Sequence, residues 1–379
     1  MEIHLSEAQA LLQATVRDFS LREIAPGARL RDEHCAFPHD IIPKMAALGL
    51  FGVTIPETYG GAGLNALALA VIIEEIAAVD GAVALITASH NSLCTAHLFR
   101  FGSKTQRQKY VTPLARGEVL GAWGLTEPAS GSDAAALETT AVLSGDAWVI
   151  NGGKLFITQG STAGVYVIMA KTNPDRGKKG ISAFIVEKGT PGLVVGPAEK
   201  KLGVRASDTA ALHFEHLRIP KENLVGERNR GYEDALRILD GGRIGIGAMA
   251  VGLARGAMER SLRYAVARRQ FGNKIGTFQA IQTKLSDMAT EIEAARLLVY
   301  RAAWLKDHQQ SYVTAASEAK LFASEVAHRA TSQAVRIHGG FGFMQEAEVE
   351  RLYRDAKLCE IGEGTSEIQR AIIAKTLLQ

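Results

Sequence analysis

The N-terminal third of the chain has apolar residues at helical spacing, which predicts a set of helices. Val16 and Phe19 belong to an apolar stripe, and Ser6 and Gln9 ahead of it have the spacing of a capping box. Residues 66–79 (ALALAVIIEEIAAV) predict another, buried helix. Turn-rich stretches such as PETYGGAGLN separate these elements.

Residues 81–99 (GAVALITASHNSLCTAHLF) contain no charged side chain, a feature that they share with membrane spans. The polar run from Ser89 to Ser92 lies in the middle of this segment, where hydrocarbon would penalise it. We therefore predict a buried helix of a water-soluble protein. The first residues, MEIHLSEAQALLQ, carry charge where a signal peptide has its apolar run. The sequence thus favours a cytoplasmic location without membrane association.

The texture changes to short β-rich runs between about residues 116 and 226. The stretch AWVINGGKLFIT predicts two strands joined by a hairpin at Asn151-Gly152. VYVIMAKT, ISAFIVEK, LVVG and ALHFEHLRI predict further strands, separated by Gly, Pro and Asp. Pro220 and Gly226 mark the end of this region.

Helical patterns return from about residue 231, and residues 280–308 and 312–337 predict long helices. The order of helices, strands and helices differs from the alternation that produces a doubly wound parallel sheet. We therefore predict an α+β multidomain protein. Its domains are an N-terminal α-helical domain (1–115), a middle β domain (116–230) and a C-terminal α-helical domain (231–379).

Composition excludes several classes of function. The 379 residues are 47% hydrophobic, and 43 basic residues nearly balance 40 acidic ones, with a net charge of +3. This balance gives no support for a nucleic-acid partner or a polybasic membrane protein. Cys35, Cys94 and Cys359 are widely spaced, so neither a disulfide framework nor a metal site is predicted.

The stretch EIGEGTSEIQR raises the question of what Glu363 does between two glycines. A helix is predicted just after it, because Ser366 and Gln369 have the spacing of a capping box. The flanking glycines relax backbone sterics and let another molecule approach the main chain. These residues alone favour the plain interpretation, a helix N-terminus that attracts negative charge.

Two longer motifs change that interpretation. GLTEPASGSDAAA (residues 124–136) resembles the first signature of the acyl-CoA dehydrogenase family, and GGFGFMQEAEVERLYRD (residues 339–355) resembles its C-terminal signature. EGTSEIQR (363–370) and RRQFG (268–272) are further family-like stretches. The resemblance covers essentially the whole chain. It implies an N-terminal helical domain, a middle β-barrel-like domain and a C-terminal helical bundle.

The resemblance also implies the chemistry. Family members hold FAD and oxidise an acyl-CoA thioester to the trans-2-enoyl-CoA, passing electrons to an electron-transferring flavoprotein. Glu363 matches the base that removes the α-proton, while flavin N5 accepts the β-hydride. Some members place the base at the position of Gly242, which has no side chain to serve. The thioester oxygen must receive hydrogen bonds as negative charge develops on it, and the resemblance implies that the backbone N–H of Glu363 and a flavin ribityl hydroxyl donate them.

The remaining site residues are also implied by the family match. Substrate contacts are expected at Ser132, Asp240, Arg243 and Gly364. FAD contacts are expected at Trp123, Leu125, Thr126, Ser132, Phe156, Ile157, Thr158, Arg268, Gln270, Phe271, Gln279, Arg336, Gly339, Gly340, Thr365 and Ser366. In the family the RRQFG stretch reaches FAD in a neighbouring subunit, which implies a homodimer at least and the family's homotetramer.

Three positions depart from the family pattern. Arg336 replaces a Gln or an acidic residue, and Phe156 replaces the commoner Trp beside the flavin. Gly362 stands where many relatives have a bulky residue. This gap gives the hypothesis of an acyl group that is branched or cyclic near the thioester; the alternatives are a neighbouring side chain that fills the gap, and a short- or medium-chain substrate.

Rival functions remain open on the same scaffold. A flavin oxidase or oxygenase would let oxygen reach the reduced cofactor, and an enoyl-CoA reductase would run the reaction backwards. A non-catalytic FAD- or acyl-CoA-binding subunit is a third alternative, which the Glu363, Arg243 and Thr158 set disfavours. The stretch TASHNSLCTAH (87–97) is expected to line the acyl pocket, with Asn91, Ser92 and Cys94 as candidates.

Overall fold

The computed structural model describes residues 5–378, in which helices, a sheet and again helices follow one another along the chain. This order confirms the predicted fold class. The first region has eight α-helices, some of them joined by π-helical turns: α1 (Glu7–Phe19), α2 (Ala25–His34), α3 (Ile42–Ala47), α4 (Ala66–Ala77), α5 (Gly81–Ser89), α6 (Ala96–Phe101), α7 (Lys104–Gln106) and α8 (Thr112–Ala115).

The N-terminal helices begin where polar caps satisfy their first backbone N–H groups. Ser6 and Gln9 form the predicted capping box of α1, and Asn65 and Asp80 cap α4 and α5. The uncharged segment 81–99 folds as α5, a π-helical turn and part of α6, and it is almost entirely buried, as predicted. None of the helices described in residues 5–378 combines the length and apolar character that a membrane span needs.

The middle region forms one sheet of eight strands. The strands are β1 (Gly121–Gly124), β2 (Thr140–Ser144), β3 (Ala147–Thr158), β4 (Val165–Lys171), β5 (Ile181–Glu187), β6 (Leu193–Ala198), β7 (Thr209–Pro220) and β8 (Leu224–Val225). The order is β6-β7-β3-β2-β4-β5-β8, and β1 pairs in parallel with β4. Tyr166, Phe184 and Trp148 fill the core between the strands.

The predicted hairpin at Asn151-Gly152 is wrong, because β3 runs through both residues as a single strand. The chain reverses earlier, at Gly145-Asp146 between β2 and β3. At Gly152 the pairing with β7 shifts register as a β-bulge, and Gly152 has φ +134°. A β-carbon there would lie 2.7 Å from the Cα of Thr139. Close packing of the backbone, rather than a turn, therefore requires this glycine.

The last region consists mainly of long helices: α9 (Gly231–Ala267), α10 (Gln279–Asp307), α11 (Val313–His338), α12 (Val349–Ile361) and α13 (Ser366–Leu377). A small hairpin of β9 (Arg269–Gln270) and β10 (Asn273–Lys274) lies between α9 and α10. The two helices predicted over 280–308 and 312–337 are confirmed as α10 and α11.

Helix α9 is the axis on which the other regions pack. Its residues from Gly241 to Ala257 are all buried, and it contacts α4, α5, α10, α11 and α12. A buried ion-pair network joins α9 to the N-terminal helices, since Arg255 contacts both Glu74 and Glu75 of α4. Residues 240–245 of α9 therefore lie between the N-terminal helices and the turn that follows α12.

Candidate active site

The turn between α12 and α13 holds Glu363 in a backbone conformation that glycine favours. Helix α12 ends at Ile361, Glu363 has φ +54°, and Gly364 has φ +98°. For a residue with a side chain the left-handed region costs about 1–2 kcal/mol. Contacts from other elements must therefore hold this turn in place.

Two buried side chains supply those contacts. Lys320 of α11 donates a hydrogen bond from Nζ to the Gly364 carbonyl at 2.7 Å, and Gln369 of α13 donates to the same carbonyl at 2.9 Å. Gln369 also donates to the Glu363 carbonyl at 3.3 Å. Neither role was predicted. The Lys320 contact spans 44 residues of sequence, and no local motif indicates it.

The predicted capping box of Ser366 and Gln369 is wrong. The N-cap is Thr365, whose hydroxyl accepts a hydrogen bond from the Ile368 N–H at 3.3 Å. Gln369 turns its amide back to the preceding turn, and Ser366 is the first residue of α13 and is buried. The expected cofactor contacts Thr365 and Ser366 thus lie within three residues of Glu363.

The carboxyl group of Glu363 is poised to take up a proton. Its Oε2 atom is buried, although part of the residue is accessible, and within residues 5–378 this atom has no hydrogen-bond partner. Burial raises the pKa of Glu363 to about 7, against the opposing effects of the Arg243 and Lys320 cations. A carboxylate with a pKa near the working pH suits a general base.

Helix α9 meets this carboxyl group at Gly242. A β-carbon on Gly242 would lie only 1.8 Å from Oε2 of Glu363, so only glycine leaves room for the carboxyl group. One turn further along α9, a β-carbon on Gly245 would make ordinary contacts with Ile73, Ala88 and Ser92 at 3.5–3.6 Å. The N-terminal helices therefore close the space beside α9 about one turn beyond Glu363.

Asp240 and Arg243 form a buried ion pair on the same stretch of α9. Arg243 Nη1 donates to Asp240 Oδ1 at 2.5 Å, and Arg243 Nε has no partner within the described residues. Burial raises the pKa of Asp240, although Arg243 opposes that shift. Of the residues expected to contact substrate, Arg243 acts on the Glu363 carboxyl group, Asp240 lies beside Arg243, and Gly364 follows Glu363 in the turn. Their contact with substrate stays a prediction.

The first signature motif packs against β3. Leu155 N–H donates to the Thr126 carbonyl at 2.9 Å, and Lys154 Nζ donates to the Leu125 carbonyl at 3.2 Å. Lys154 also forms a buried ion pair with Glu127, with 2.5 Å between Nζ and Oε1. Burial lowers the pKa of Lys154 to about 8. Sequence reasoning missed this pair, although Glu127 belongs to the quoted motif.

These segments bring together the residues expected beside the flavin ring. Trp123 of β1 donates from Nε1 to His97 Nδ1 at 3.1 Å, and Phe156 has φ +58° and an exposed ring. Thr158 is half-buried at the end of β3. Leu125 and Ile157 are buried, whereas Ser132 is exposed on the loop. The structure thus groups these expected cofactor contacts at one end of β1 and β3.

A series of contacts connects this group with Glu363. β1 packs on segment 90–97, since a β-carbon on Gly121 would lie 2.6 Å from Cys94 Sγ. The same segment meets α9, where Ser92 faces Gly245. Of the three candidates Asn91, Ser92 and Cys94, these contacts place Ser92 near α9. Asn91 instead binds the backbone of Leu50, Val53 and Thr87.

The other expected cofactor contacts lie on a separate, exposed face near the ends of α9 and α11. They are Arg268, Gln270, Phe271, Gln279, Arg336, Gly339 and Gly340. Phe271 is 92% exposed, and Phe343, three residues after Gly340, is 79% exposed. Gly339 has φ +62°, and no atom lies within 4 Å of a β-carbon built on it.

Both groups fit FAD. Trp123, Phe156 and Thr158 present aromatic surface and a hydroxyl suited to a flavin ring. Arg268 and Arg336 offer guanidinium groups to phosphates, and the open glycine backbone permits close approach. Within residues 5–378, no three His, Cys, Asp or Glu side chains are grouped so that they could hold a metal ion.

Three family models together match most of the chain. Residues 6–118, 122–217 and 229–378 match the N-terminal, middle and C-terminal domains of acyl-CoA dehydrogenase, respectively. The short-chain specific acyl-CoA dehydrogenase of Clostridium acetobutylicum is 45% identical over 374 residues, which is 99% of each chain.

Solved structures agree. Butyryl-CoA dehydrogenase from Megasphaera elsdenii is 39% identical, with a TM-score of 0.98 and full coverage of both chains. A chain of the structure described as "Electron transferring flavoprotein of Acidaminococcus fermentans: Towards a mechanism of flavin-based electron bifurcation" is 44% identical, with a TM-score of 0.99 and full coverage. The chain therefore belongs to the acyl-CoA dehydrogenase family of FAD-binding oxidoreductases, which confirms the predicted family, cofactor and class of enzyme.

Proposed function

We propose that Glu363 is the base that removes the α-proton from a short-chain acyl-CoA, which is thereby oxidised to the trans-2-enoyl-CoA. One observation carries this assignment above all: Glu363 Oε2 is buried, has no partner within the described residues, and lies where Gly242 leaves space. A carboxylate that is not committed to another hydrogen bond is free to accept a proton from substrate.

The surroundings of Glu363 support that role. Its pKa of about 7 leaves a large fraction ionised at neutral pH and makes it more basic than an exposed glutamate. The Glu363 N–H finds no backbone acceptor within residues 5–378. It can therefore donate to the thioester oxygen, where negative charge develops as the proton leaves.

FAD supplies the hydride acceptor for this oxidation. On this chain, Trp123, Thr126, Phe156 and Thr158 would hold its ring, because β1 and β3 present them together. The exposed face around Arg268 and Phe271 would hold the dinucleotide portion bound by a neighbouring subunit. We therefore propose a homo-oligomer of the family's tetrameric kind, in which this face is covered.

The packing of the N-terminal helices on α9 supports a short acyl chain. The distance from Gly242 to Gly245 along α9 is about 4.5 Å, since the rise is about 1.5 Å per residue. At Gly245, Ile73, Ala88 and Ser92 close the space. The short-chain specific relative from Clostridium and the butyryl-CoA dehydrogenase are consistent with this length. We propose an electron-transferring flavoprotein as the acceptor, which the similarity to the Acidaminococcus chain supports.

A second candidate substrate is a short acyl-CoA with a branch at the α-carbon. The observation that favours it is Gly362. The three atoms nearest to a β-carbon built there all belong to Leu358, at 3.5–3.7 Å, which is ordinary van der Waals contact.

A panel of acyl-CoA esters tests both proposals. Butyryl-, isobutyryl-, 2-methylbutyryl-, hexanoyl- and octanoyl-CoA would be added anaerobically to the FAD-loaded enzyme, and kcat/KM for flavin reduction would be compared. We expect a four- or five-carbon ester to exceed octanoyl-CoA by at least about tenfold, because each misfitted methylene is worth about 1–3 kcal/mol. A higher kcat/KM for octanoyl-CoA would contradict the proposed short acyl chain. A higher kcat/KM for butyryl-CoA than for both branched esters would contradict the proposed branched substrate.

A further inference from the structure

Lys320 is a buried cation beside the proposed base. The residue is 0% exposed, and its ammonium group donates to a neutral acceptor, the Gly364 carbonyl, at 2.7 Å. Burial lowers the pKa of Lys320 to about 8, and Arg243 also opposes its charge, whereas Cys359, Glu363 and Glu360 favour that charge through longer-range attraction. A buried ammonium without a close carboxylate is costly, so a plain packing role is better served by an apolar side chain.

The Lys320 ammonium group lies where it can hold the turn of Glu363 and Gly364 in place. The turn is left-handed at two successive residues, Glu363 and Gly364, and only Gly364 is a glycine. Lys320 and Gln369 converge on the Gly364 carbonyl from two different helices. Fixing this carbonyl orients the Gly364–Thr365 peptide, one residue beyond Glu363. The second hydrogen bond of Gln369, to the Glu363 carbonyl, orients the peptide immediately after Glu363. Together these contacts set the direction in which the Glu363 side chain leaves the backbone.

The charge of Lys320 has a second effect on the same carboxyl group. The charged groups that act on Glu363 are Arg243 from α9 and Lys320 from α11, and both favour its ionised form. Arg243 is already paired with Asp240, which offsets part of its charge. Lys320 instead donates to a neutral carbonyl, and no carboxylate of residues 5–378 forms an ion pair with it.

We propose that Lys320 is a positioning residue for the dehydrogenation: it holds the Gly364 carbonyl so that the Glu363 carboxylate stays against Gly242, and it places a positive charge beside that carboxylate. This inference rests on the proposed role of Glu363 as the base. It adds to the reaction a residue of α11 that contacts neither the acyl-CoA nor FAD.

Two variants separate the two effects. Lys320→Met keeps an unbranched side chain of similar length but removes both the hydrogen bond and the charge. Lys320→Gln keeps a donor without the charge. The matched control is Lys284→Met, because Lys284 of α10 donates to Gln333 on the same helix α11, far from the turn in sequence. FAD content and the rate of flavin reduction by butyryl-CoA would be measured from pH 5.5 to 9.

We expect Lys320→Met to bind FAD normally and to reduce it about 10- to 100-fold more slowly at pH 7, because small displacements of a catalytic group cost rates of this order. Its acid limb should move up by about one pH unit, since removing a nearby cation raises the pKa of a carboxyl group. Lys320→Gln should show the same shift of the limb with a smaller loss of rate. Lys284→Met should match the wild type.

A merely structural role for Lys320 would change stability and FAD content but would leave the acid limb where it is. An FAD-loaded Lys320→Met enzyme with an unshifted limb would therefore overturn the inference. If Lys320→Met does not fold, Lys320→Gln provides the same test. A shifted acid limb of its pH profile would support the inference, and an unshifted one would overturn it.

A parallel Glu363→Gln variant distinguishes failure of the inference from failure of the proposed function. If Glu363→Gln still reduces its flavin at the wild-type rate, the base assignment is wrong and the role of Lys320 fails with it. If Glu363→Gln is inactive while both Lys320 variants behave as wild type, only the inference about Lys320 is wrong.

Discussion

The carboxyl group of Glu363 occupies the space that a side chain at residue 242 would need. A β-carbon on Gly242 would lie 1.8 Å from Oε2, closer than any non-bonded contact allows. The turn after α12 can therefore place its carboxylate here only because residue 242 of α9 is a glycine. We infer that a base on the turn and a side chain at 242 exclude each other.

Substitution of Gly242 tests this arrangement. Gly242→Ala should displace the Glu363 carboxyl group and slow flavin reduction by about 100-fold, as misplacement by about 1 Å does in other enzymes. FAD binding should be retained, because most of the expected FAD contacts, those on β1, β3 and the face around Arg268, are on other segments than Gly242 and Glu363. Stopped-flow measurement with butyryl-CoA would show the effect.

Gly241→Ala is the matched control on the same helix. Its β-carbon would meet only the flexible end of Lys306, which can move away. Equal losses in the two variants would mean that the helix, rather than the contact with Glu363, is sensitive to substitution.

The pH dependence of the reaction should report the Glu363 carboxyl group. Its pKa of about 7 means that the base is protonated below pH 7 and ionised above it. On the acid limb, well below pH 7, the value of kcat/KM for butyryl-CoA should therefore rise tenfold per pH unit, and it should level off above about pH 7.5. A flat profile between pH 5.5 and 8 would show that no group with this pKa is needed.

The buried pair of Glu127 and Lys154 should be important for stability. Glu127→Gln leaves the Lys154 ammonium group buried without a carboxylate, which should destabilise the protein by about 3–5 kcal/mol. Glu187→Gln, which removes the exposed partner of Lys109, should cost about 0–1 kcal/mol. Denaturant unfolding of the FAD-loaded proteins would measure both. Similar small losses would mean that Lys154 is solvated or deprotonated in the variant.

The exposed aromatic face should be buried in the oligomer. Phe271→Ser should weaken subunit association and lower FAD content, because Phe271 is 92% exposed in the single chain. Val142→Ser is the control, since Val142 is 62% exposed on β2 of the sheet. Native mass spectrometry would give the subunit number and bound FAD. An unchanged tetramer with full FAD would contradict the proposed location of the interface.

Local patterns predicted most of the fold. The capping box at Ser6, the uncharged buried segment 81–99 and the long helices α10 and α11 depend on contacts within a few residues, so sequence periodicity reports them. The hairpin at Asn151-Gly152 failed because a β-bulge against β7 uses the same residue types as a tight turn. Only the partner strand distinguishes the two.

The candidate site divides in the same way. Glu363 and the signature motifs were identified because they are contiguous in sequence. Lys320 and the Glu127–Lys154 pair were missed, because their contacts join residues that are 44 and 27 positions apart. Gln369 was assigned to a capping box, because the spacing from Ser366 does not show that its amide turns back to the Gly364 carbonyl. The domain limits near residues 115 and 230 remain our proposal; α8 ends at Ala115, and α9 begins at Gly231.

The most direct test of the central claim compares Glu363→Gln with Glu367→Gln, an exposed glutamate four residues away on α13. Both FAD-loaded variants and the wild type would be mixed anaerobically with butyryl-CoA, and bleaching of the flavin absorbance would be followed. We predict that Glu363→Gln binds FAD and butyryl-CoA but reduces its flavin at least about 1,000-fold more slowly, since proton transfer by a positioned base contributes about 10²–10⁴-fold. Glu367→Gln should match the wild type. Wild-type reduction by Glu363→Gln would contradict the assignment of the base.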